Sequence, residues 1–326
     1  MVMRLVHFRL FPKGSWRTPW QADTLMGALA AAAARVNGPA WLEEELLDPW
    51  RSGEPPFVLS DACPEDFLPA PALLPLLGWP EAERKRVKRA AWLTPQQFAA
   101  LQRGETPILP PAADPGLGFA RSDAVIKPEV RLRNTLDRCT DTTGTAGSLY
   151  PVEAEALAGG VSYLSLYARI AAGKESILAG LLQLLSETGF GADVSAGFGH
   201  FELAEKWEDA GRLDAVTGAD GWISLSTFQP SPRDSTDGYW RSFVKYGKLG
   251  PDFSVEDVFK RPQWMLRPGA CFHSPEPIRD WYGRLISPED LLADSTRTAL
   301  ESRGIRPVQP AFALAVPIKW ATQYEV

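Results

Sequence analysis

The residues able to do chemistry in this 326-residue chain are few, and their spacing excludes more than it permits. Histidine occurs three times, at His7, His200 and His273, with no HExxH, HxxxH or HD pair, which removes the common metal-nuclease arrangements. Cys63, Cys139 and Cys271 stand far apart and form no CxxC, so neither a zinc site nor a disulfide framework is indicated. They read as buried small residues or free thiols in a reducing compartment. A metal-independent site cleaving a phosphodiester would set a His near a Tyr or Lys as general acid or base. His200, next to a glycine-rich loop, is the one candidate for that role, while His7 reads as an ordinary strand side chain. Glu43, Glu44 and Glu45 form a charge run with no paired-site spacing. No catalytic set, metal or cofactor is expected.

Two segments carry the stronger signals. The first is the loop Gly189-Phe190-Gly191-Ala192-Asp193-Val194-Ser195-Ala196-Gly197-Phe198-Gly199, in which Gly189, Gly191, Gly197 and Gly199 permit positive φ angles and close approach of a ligand to the backbone. Successive N–H groups in such a loop can cradle phosphates. A Walker or Rossmann loop runs from strand into helix, whereas this one runs from helix into strand and lacks GK[ST], so nucleotide hydrolysis is disfavoured. The second segment, residues 131 to 150, gathers Arg131, Arg133 and Arg138, with Arg121 and Lys127 just before it. Arginine suits phosphates and base edges because its planar fork binds bidentately and stacks on rings. Arg17, flanked by Trp16 and Trp20, has a composition able to stack bases, although tryptophans more often pack in cores. Arg84, Lys85, Arg86, Lys88 and Arg89 form a denser cluster that reads first as a solvated helix face.

The elements that must position these residues follow from periodicity. Residues 3 to 10 alternate as a strand, and a helix with Asp23 or Thr24 at its start runs through an alanine-rich body to Gly38. Residues 39 to 147 are broken by Pro and Gly and read as an insertion. Two β-rich runs around Gly159-Gly160 predict a hairpin, and Ile177, Leu178, Leu181, Leu182 and Leu185 predict a core-facing helix ended by Gly189, followed by a short strand at 200 to 203. Without the insertion, residues 1 to 207 spell β-α-β-β-α-β, the ferredoxin-like order shared by RNA-recognition modules. Strand-like runs at 222 to 228, 240 to 246, 263 to 272 and 311 to 318, with a charged helix near 288 to 303, predict a second α+β unit over residues 208 to 326.

Length favours two domains, and 45% hydrophobic with 23% charged residues is an ordinary globular mix. The formal net charge of −6 argues against a surface that coats nucleic acid through bulk positive charge, so any such contact must be local. No signal peptide or membrane-spanning run is apparent, and a cytoplasmic location is expected.

Three motifs in order resemble one family. Residues 20 to 29, Trp-Gln-Ala-Asp-Thr-Leu-Met-Gly-Ala-Leu, resemble an S-D-T-L-x-G-A-L signature; Arg131-Leu132-Arg133-Asn134 through Asp137-Arg138 resembles R-x-R-N-x-x-D-R; and the loop at 189 to 199 resembles the RAMP glycine-rich loop. Arg267-Pro268-Gly269-Ala270-Cys271-Phe272 is similar to a P-G-S-x-F element, so the resemblance reaches both halves. Ala22 and Ala270 stand where the family has Ser, and Ala192-Asp193 stands where its loop is often basic. The family is that of type III-A CRISPR RAMP proteins of the Csm effector complex, in the line that binds the 5′ tag of the guide RNA. The resemblance implies two tandem ferredoxin-like folds, binding of the crRNA 5′ handle, docking to the large polymerase-like subunit and a backbone RAMP subunit, and no catalysis. By carry-over it assigns RNA contact to Asp23, Thr24, Gly27, Arg133, Asn134, Arg138, Gly189, Gly191, Gly197 and Gly199, and Arg17, Trp20, Arg131 and Phe198 join them as expected RNA-binding residues from the reading of the neighbouring segments. The alternatives are a CRISPR precursor-processing endoribonuclease and a purely structural scaffold.

Overall fold

The computed structural model describes residues 3–108, 122–140, 142–143 and 149–320. Arg121 and part of the 131 to 150 segment lie outside the described residues.

The first sheet is built on β1 (Met3–Pro12), whose Val6, Phe8 and Leu10 are fully buried. Helix α1 (Ala22–Asn37) follows, turning Leu25, Met26, Leu29 and Ala33 into the same core, and stops at Gly38 with φ 86°. No side chain of the 21–24 segment caps it. The first free N–H, that of Ala22, donates instead to Asp61 Oδ1 at 2.8 Å, so the cap comes from a distant loop.

Strand β2 (Phe57–Leu59) is the second strand of the sheet, and it lies inside the 39 to 147 stretch expected to be an insertion. Helix α2 (Glu81–Arg89) comes next, then two long strands, β3 (Ile126–Asn134) and β4 (Leu149–Leu157), paired with each other from Ile126↔Leu157 to Asn134↔Leu149. This corrects the expected hairpin across Gly159-Gly160. The run after those glycines, β5 (Leu164–Ala171), pairs with β1 and β2 and is buried along its whole length, whereas β4 is mostly exposed. Both runs are β-rich, but only the second, apolar apart from Ser165 and Arg169, which find buried partners, occupies the sheet centre.

Helix α3 (Glu175–Thr188) buries Leu178, Leu181, Leu182 and Leu185 and stops at Gly189, and β6 (Phe201–Leu203) closes the sheet. Its order is β6-β1-β5-β2, the spatial order fourth, first, third, second of a β-α-β-β-α-β chain.

The second sheet runs β8-β11-β7-β13-β12, with β7 (Gly221–Ser224), β8 (Gly238–Tyr239), β11 (Cys271–His273), β12 (Trp281–Ile286) and β13 (Gln309–Ile318). Between β8 and β11, β9 (Ser242–Lys245) and β10 (Gln263–Leu266) form a separate two-stranded ribbon. The four strands β8, β11, β7 and β13 repeat the order of the first sheet, but residues 225–237 carry no helix where α1 stands in the first half. The expected helix near 288 to 303 is broken into Pro288–Leu291 and α4 (Asp294–Glu301). One apolar cluster runs from α1 and α3 into Leu225, Phe312, Leu314 and Val316, so the halves share a core. No helix among the described residues is long and apolar enough to cross a membrane.

Candidate functional site

The site is assembled where the β3–β4 ribbon meets the glycine loop. In an antiparallel pair, directly opposite residues share a face. One face of the ribbon therefore carries Arg131 with Val152, Arg133 with Tyr150, and Glu129 with Ala154. Val152 and Ala154 pack on Phe198 of the loop, which is fully buried. The guanidinium carbons of Arg131 and Arg133 stand 5.0 and 4.9 Å from the Phe198 ring centroid, so both cations lie against one aromatic ring, Arg131 exposed and Arg133 half-buried.

Arg17 arrives from the segment before α1. Trp16 exchanges backbone hydrogen bonds with Glu155 of β4, and its Nε1–H donates to Glu155 Oε2 at 3.0 Å, which fixes that segment to the ribbon. Arg17 then donates through Nη1 to Asp193 Oδ2 at 2.6 Å, and Arg133 Nη1 lies 3.5 Å from the same oxygen. Asp193 thus sits between two arginines, and Arg131 holds Glu129 Oε1 at 2.8 Å. That bond depresses the Glu129 pKa. Three cations meet two carboxylates here, so the site's positive charge is partly neutralised within the protein.

The loop's glycines divide by what surrounds them. A Cβ on Gly199 would lie 1.9 Å from the Phe190 carbonyl oxygen, and one on Gly191 would lie 2.5 Å from Thr18 Cβ, so both positions are closed to any side chain. Gly197, with φ 88°, faces open space. Within the loop, the N–H of Ala192 donates to Thr18 Oγ1, and those of Ala196, Gly197 and Phe198 turn inward to Asp193 and Val194 carbonyls. The N–H groups of Asp193, Val194 and Ser195 have no protein acceptor among the described residues. His200 spends Nε2 on the Val194 carbonyl at 3.0 Å.

Other expected site residues lie elsewhere. The Trp20 ring is in the core, 4.6 Å from Phe190 and 5.2 Å from Phe201, rather than at a surface where a base could stack. Asp23 is buried and accepts from Lys245 Nζ at 2.7 and 2.8 Å and from Gln309 Nε2 at 2.8 Å; Thr24 Oγ1 accepts from the same ammonium. That motif ties α1 to the second half. Gly27 is exposed on α1, Asn134 donates to Thr143 Oγ1, and Arg138 is exposed beyond the ribbon's end. Gly189 stops α3. No local pattern pointed to Lys245 and Gln309 as partners of Asp23, because they lie 222 and 286 residues away.

No family model matches the chain. A curated relative, the CRISPR system Cms protein Csm4 of Thermococcus onnurineus (strain NA1), is 27% identical over 258 residues, 75% of this chain and 80% of that one. The chain is similar to a Csm4 protein. The fold agrees. A chain of the crystal structure of a Csm1-Csm4 cassette in complex with pppApA superposes with a TM-score of 0.60 at 18% identity, covering 98% of this chain and 99% of that one. A chain of the Csm3-Csm4 subcomplex of the type III-A CRISPR-Cas interference complex superposes with a TM-score of 0.57 at 13% identity, covering 97% and 100%.

Proposed function

We propose that this chain is a non-catalytic crRNA-binding subunit of a type III Csm interference complex, capping the repeat-derived 5′ handle and docking the large polymerase-like subunit and a backbone RAMP subunit. The observation that carries the reading is the convergence of Arg17, Arg131 and Arg133 around Phe198, beside a loop whose Asp193, Val194 and Ser195 N–H groups are free to meet an anion. The relative named Csm4, and solved chains that assemble with Csm1 and with Csm3, support the choice of assembly. The repeated strand order supports reading residues 1 to 207 and 208 to 326 as two ferredoxin-like units, the second lacking its first helix. Arg138, at the free end of the ribbon, extends the same basic line. The non-catalytic reading is supported by His200, whose Nε2 is committed to a backbone carbonyl, and by His7, which is buried against Ser165 and Tyr167.

The test is co-expression with guide RNA and partner subunits. Recovered RNA should carry the repeat-derived 5′ segment, and Arg131→Ala with Arg133→Ala should lower guide occupancy while the subunits still assemble. Unchanged occupancy would sink the site assignment. Metal-free cleavage of repeat RNA by the purified chain, lost in His200→Ala, would sink the non-catalytic reading.

A further inference from the structure

Helix α2 sits outside that cleft and differs electrostatically from the rest of the surface. Val87 and the following Ala90 anchor it in the core, alongside Leu74, Leu77 and Trp79. At 100° per residue, Arg84, Lys85, Lys88 and Arg89 fall within one arc away from Val87, and all four are exposed. Most arginines of this chain pair with a carboxylate; among the described residues these four cations make no ion pair, and only Arg84 has a partner, the Trp79 carbonyl at 3.2 Å. Arg84 and Lys88, like Lys85 and Arg89, are like-charge pairs at i, i+4, an arrangement that opposes helix formation. A chain with a net charge of −6 concentrates unneutralised positive charge on one short helix.

The place of this helix matters as much as its charge. Trp92, three residues past its end, packs against the buried pair Val125 and Val161, on which Ile126 and Leu157 at the base of the β3–β4 ribbon also pack. Arg131 lies five residues up the same strand from Ile126, on the order of 17 Å away at strand rise. The helix is therefore joined through a shared apolar cluster to the base of the ribbon that carries Arg131 and Arg133.

We propose that helix α2 is a second, phosphate-reading contact for single-stranded RNA, engaging the strand where it continues past the cleft along the ribbon. This rests on the RNA-binding reading above and adds a site to it. The chemistry favours RNA over a protein partner. Lysine is depleted from protein interface cores, where aromatic and apolar side chains concentrate, and no large hydrophobic side chain of this helix is exposed. Unpaired, hydrated Lys and Arg on a polar face match phosphates, which are bound through charge without sequence reading.

The experiment uses the full chain and fluorescently labelled single-stranded RNAs, one long enough to span cleft and helix and one covering the cleft alone, titrated from 50 to 300 mM salt. The Arg84→Gln, Lys85→Gln, Lys88→Gln, Arg89→Gln variant should bind the long RNA about tenfold or more weakly at low salt. Its slope of log affinity against log salt should fall by roughly 2 to 3, since each phosphate contact on a single strand contributes about 0.7. Affinity for the short RNA should be unchanged, and an unaltered thermal melt confirms folding. Equal affinity and slope for the long RNA in wild type and variant would overturn the proposal. So would intact RNA binding with lost assembly onto partner subunits, which would make the helix a protein contact. Arg131→Ala with Arg133→Ala, measured in parallel, separates the two sites: loss there with none in the helix variant leaves the cleft standing alone. No RNA binding by wild type would overturn both.

Discussion

The seam between the two halves and the ribbon–loop site are made of the same groups, arginine or lysine against aspartate with backbone partners, and they behave oppositely. At the seam, Arg169 is 4% exposed; it holds Asp214 at 2.5 and 3.0 Å, lies 3.1 Å from Asp280, and donates to the Ala315 carbonyl at 2.7 Å. Asp61 there accepts from Ala22 N–H and from both the N–H and hydroxyl of Thr227, and Lys245 is ringed by Gln21, Asp23 and Thr24 oxygens. Nearly every donor has its acceptor and little faces water. In the ribbon–loop site, Arg131 and Arg133 keep part of their fork exposed over Phe198, and Asp193 is shared by two arginines. Buried, saturated charge fixes a fold, while half-exposed, undersaturated charge is available to a ligand.

That contrast can be broken by substitution, and the seam should give the largest effects. Asp23→Ala leaves the half-buried Lys245 ammonium with its main counter-charge gone, so urea unfolding should show a loss of up to about 3 to 5 kcal/mol, with the RNA affinity of the folded protein unchanged. A variant of wild-type stability but poor RNA binding would move Asp23 from the seam into the binding site.

Next comes a pH effect from Asp61. Burial pushes its carboxyl up to about 6, against hydrogen bonds from Thr227 and Ala22 that pull it down. A carboxyl whose folded pKa is above its unfolded value holds its proton more tightly when folded, so its contribution to stability is full below about 4 and declines as pH rises toward 6. Asp61→Asn should remove that decline from the unfolding free energy measured between pH 4 and 7. His7 works in the other direction: burial lowers its pKa, so stability is lost as pH falls below its ordinary 6.5. The difference between wild type and Asp61→Asn isolates the carboxyl. An identical pH profile for the two would contradict this account of the seam.

At the site the changes should be in affinity rather than stability. Arg131→Ala and Arg133→Ala should each weaken handle RNA by about 1.5 to 3 kcal/mol in a binding titration, the range of a charge-assisted hydrogen bond, and leave the melt nearly unmoved. The smallest and most discriminating effect belongs to Asp193. Its φ of 59° is one that Asn tolerates, so Asp193→Asn should keep the loop while releasing Arg17 and Arg133, tightening RNA binding a few-fold at low salt. Weaker binding would mean that the carboxylate positions the arginines instead of competing for them.

The same contrast explains what could be read from the sequence. Strand β1, α1, α3 and the turn into β6 were legible because apolar periodicity and glycine stops are local signals. The partner of β4 was not: runs on both sides of Gly159-Gly160 have strand character, and only burial distinguishes the run that enters the sheet. Strand β2 was hidden in a Pro-rich stretch, three residues long and flanked by Pro55-Pro56. Arg131, Arg133 and the glycine loop were visible as composition, and the structure brings them together over Phe198. The burial of Trp20 and the engagement of Asp23 depend on residues far along the chain, which no local pattern reports.

The central claim is that RNA lies across the ribbon face and the glycine loop. Ultraviolet crosslinking of the assembled ribonucleoprotein, with peptide-level mapping by mass spectrometry, tests it most directly. The account predicts RNA adducts on peptides containing Arg131, Arg133 and the 193 to 197 turn, and none on the buried Trp20-Asp23 segment. Adducts confined to other surfaces, with the ribbon and loop unmodified in a complex that carries full-length guide, would contradict it.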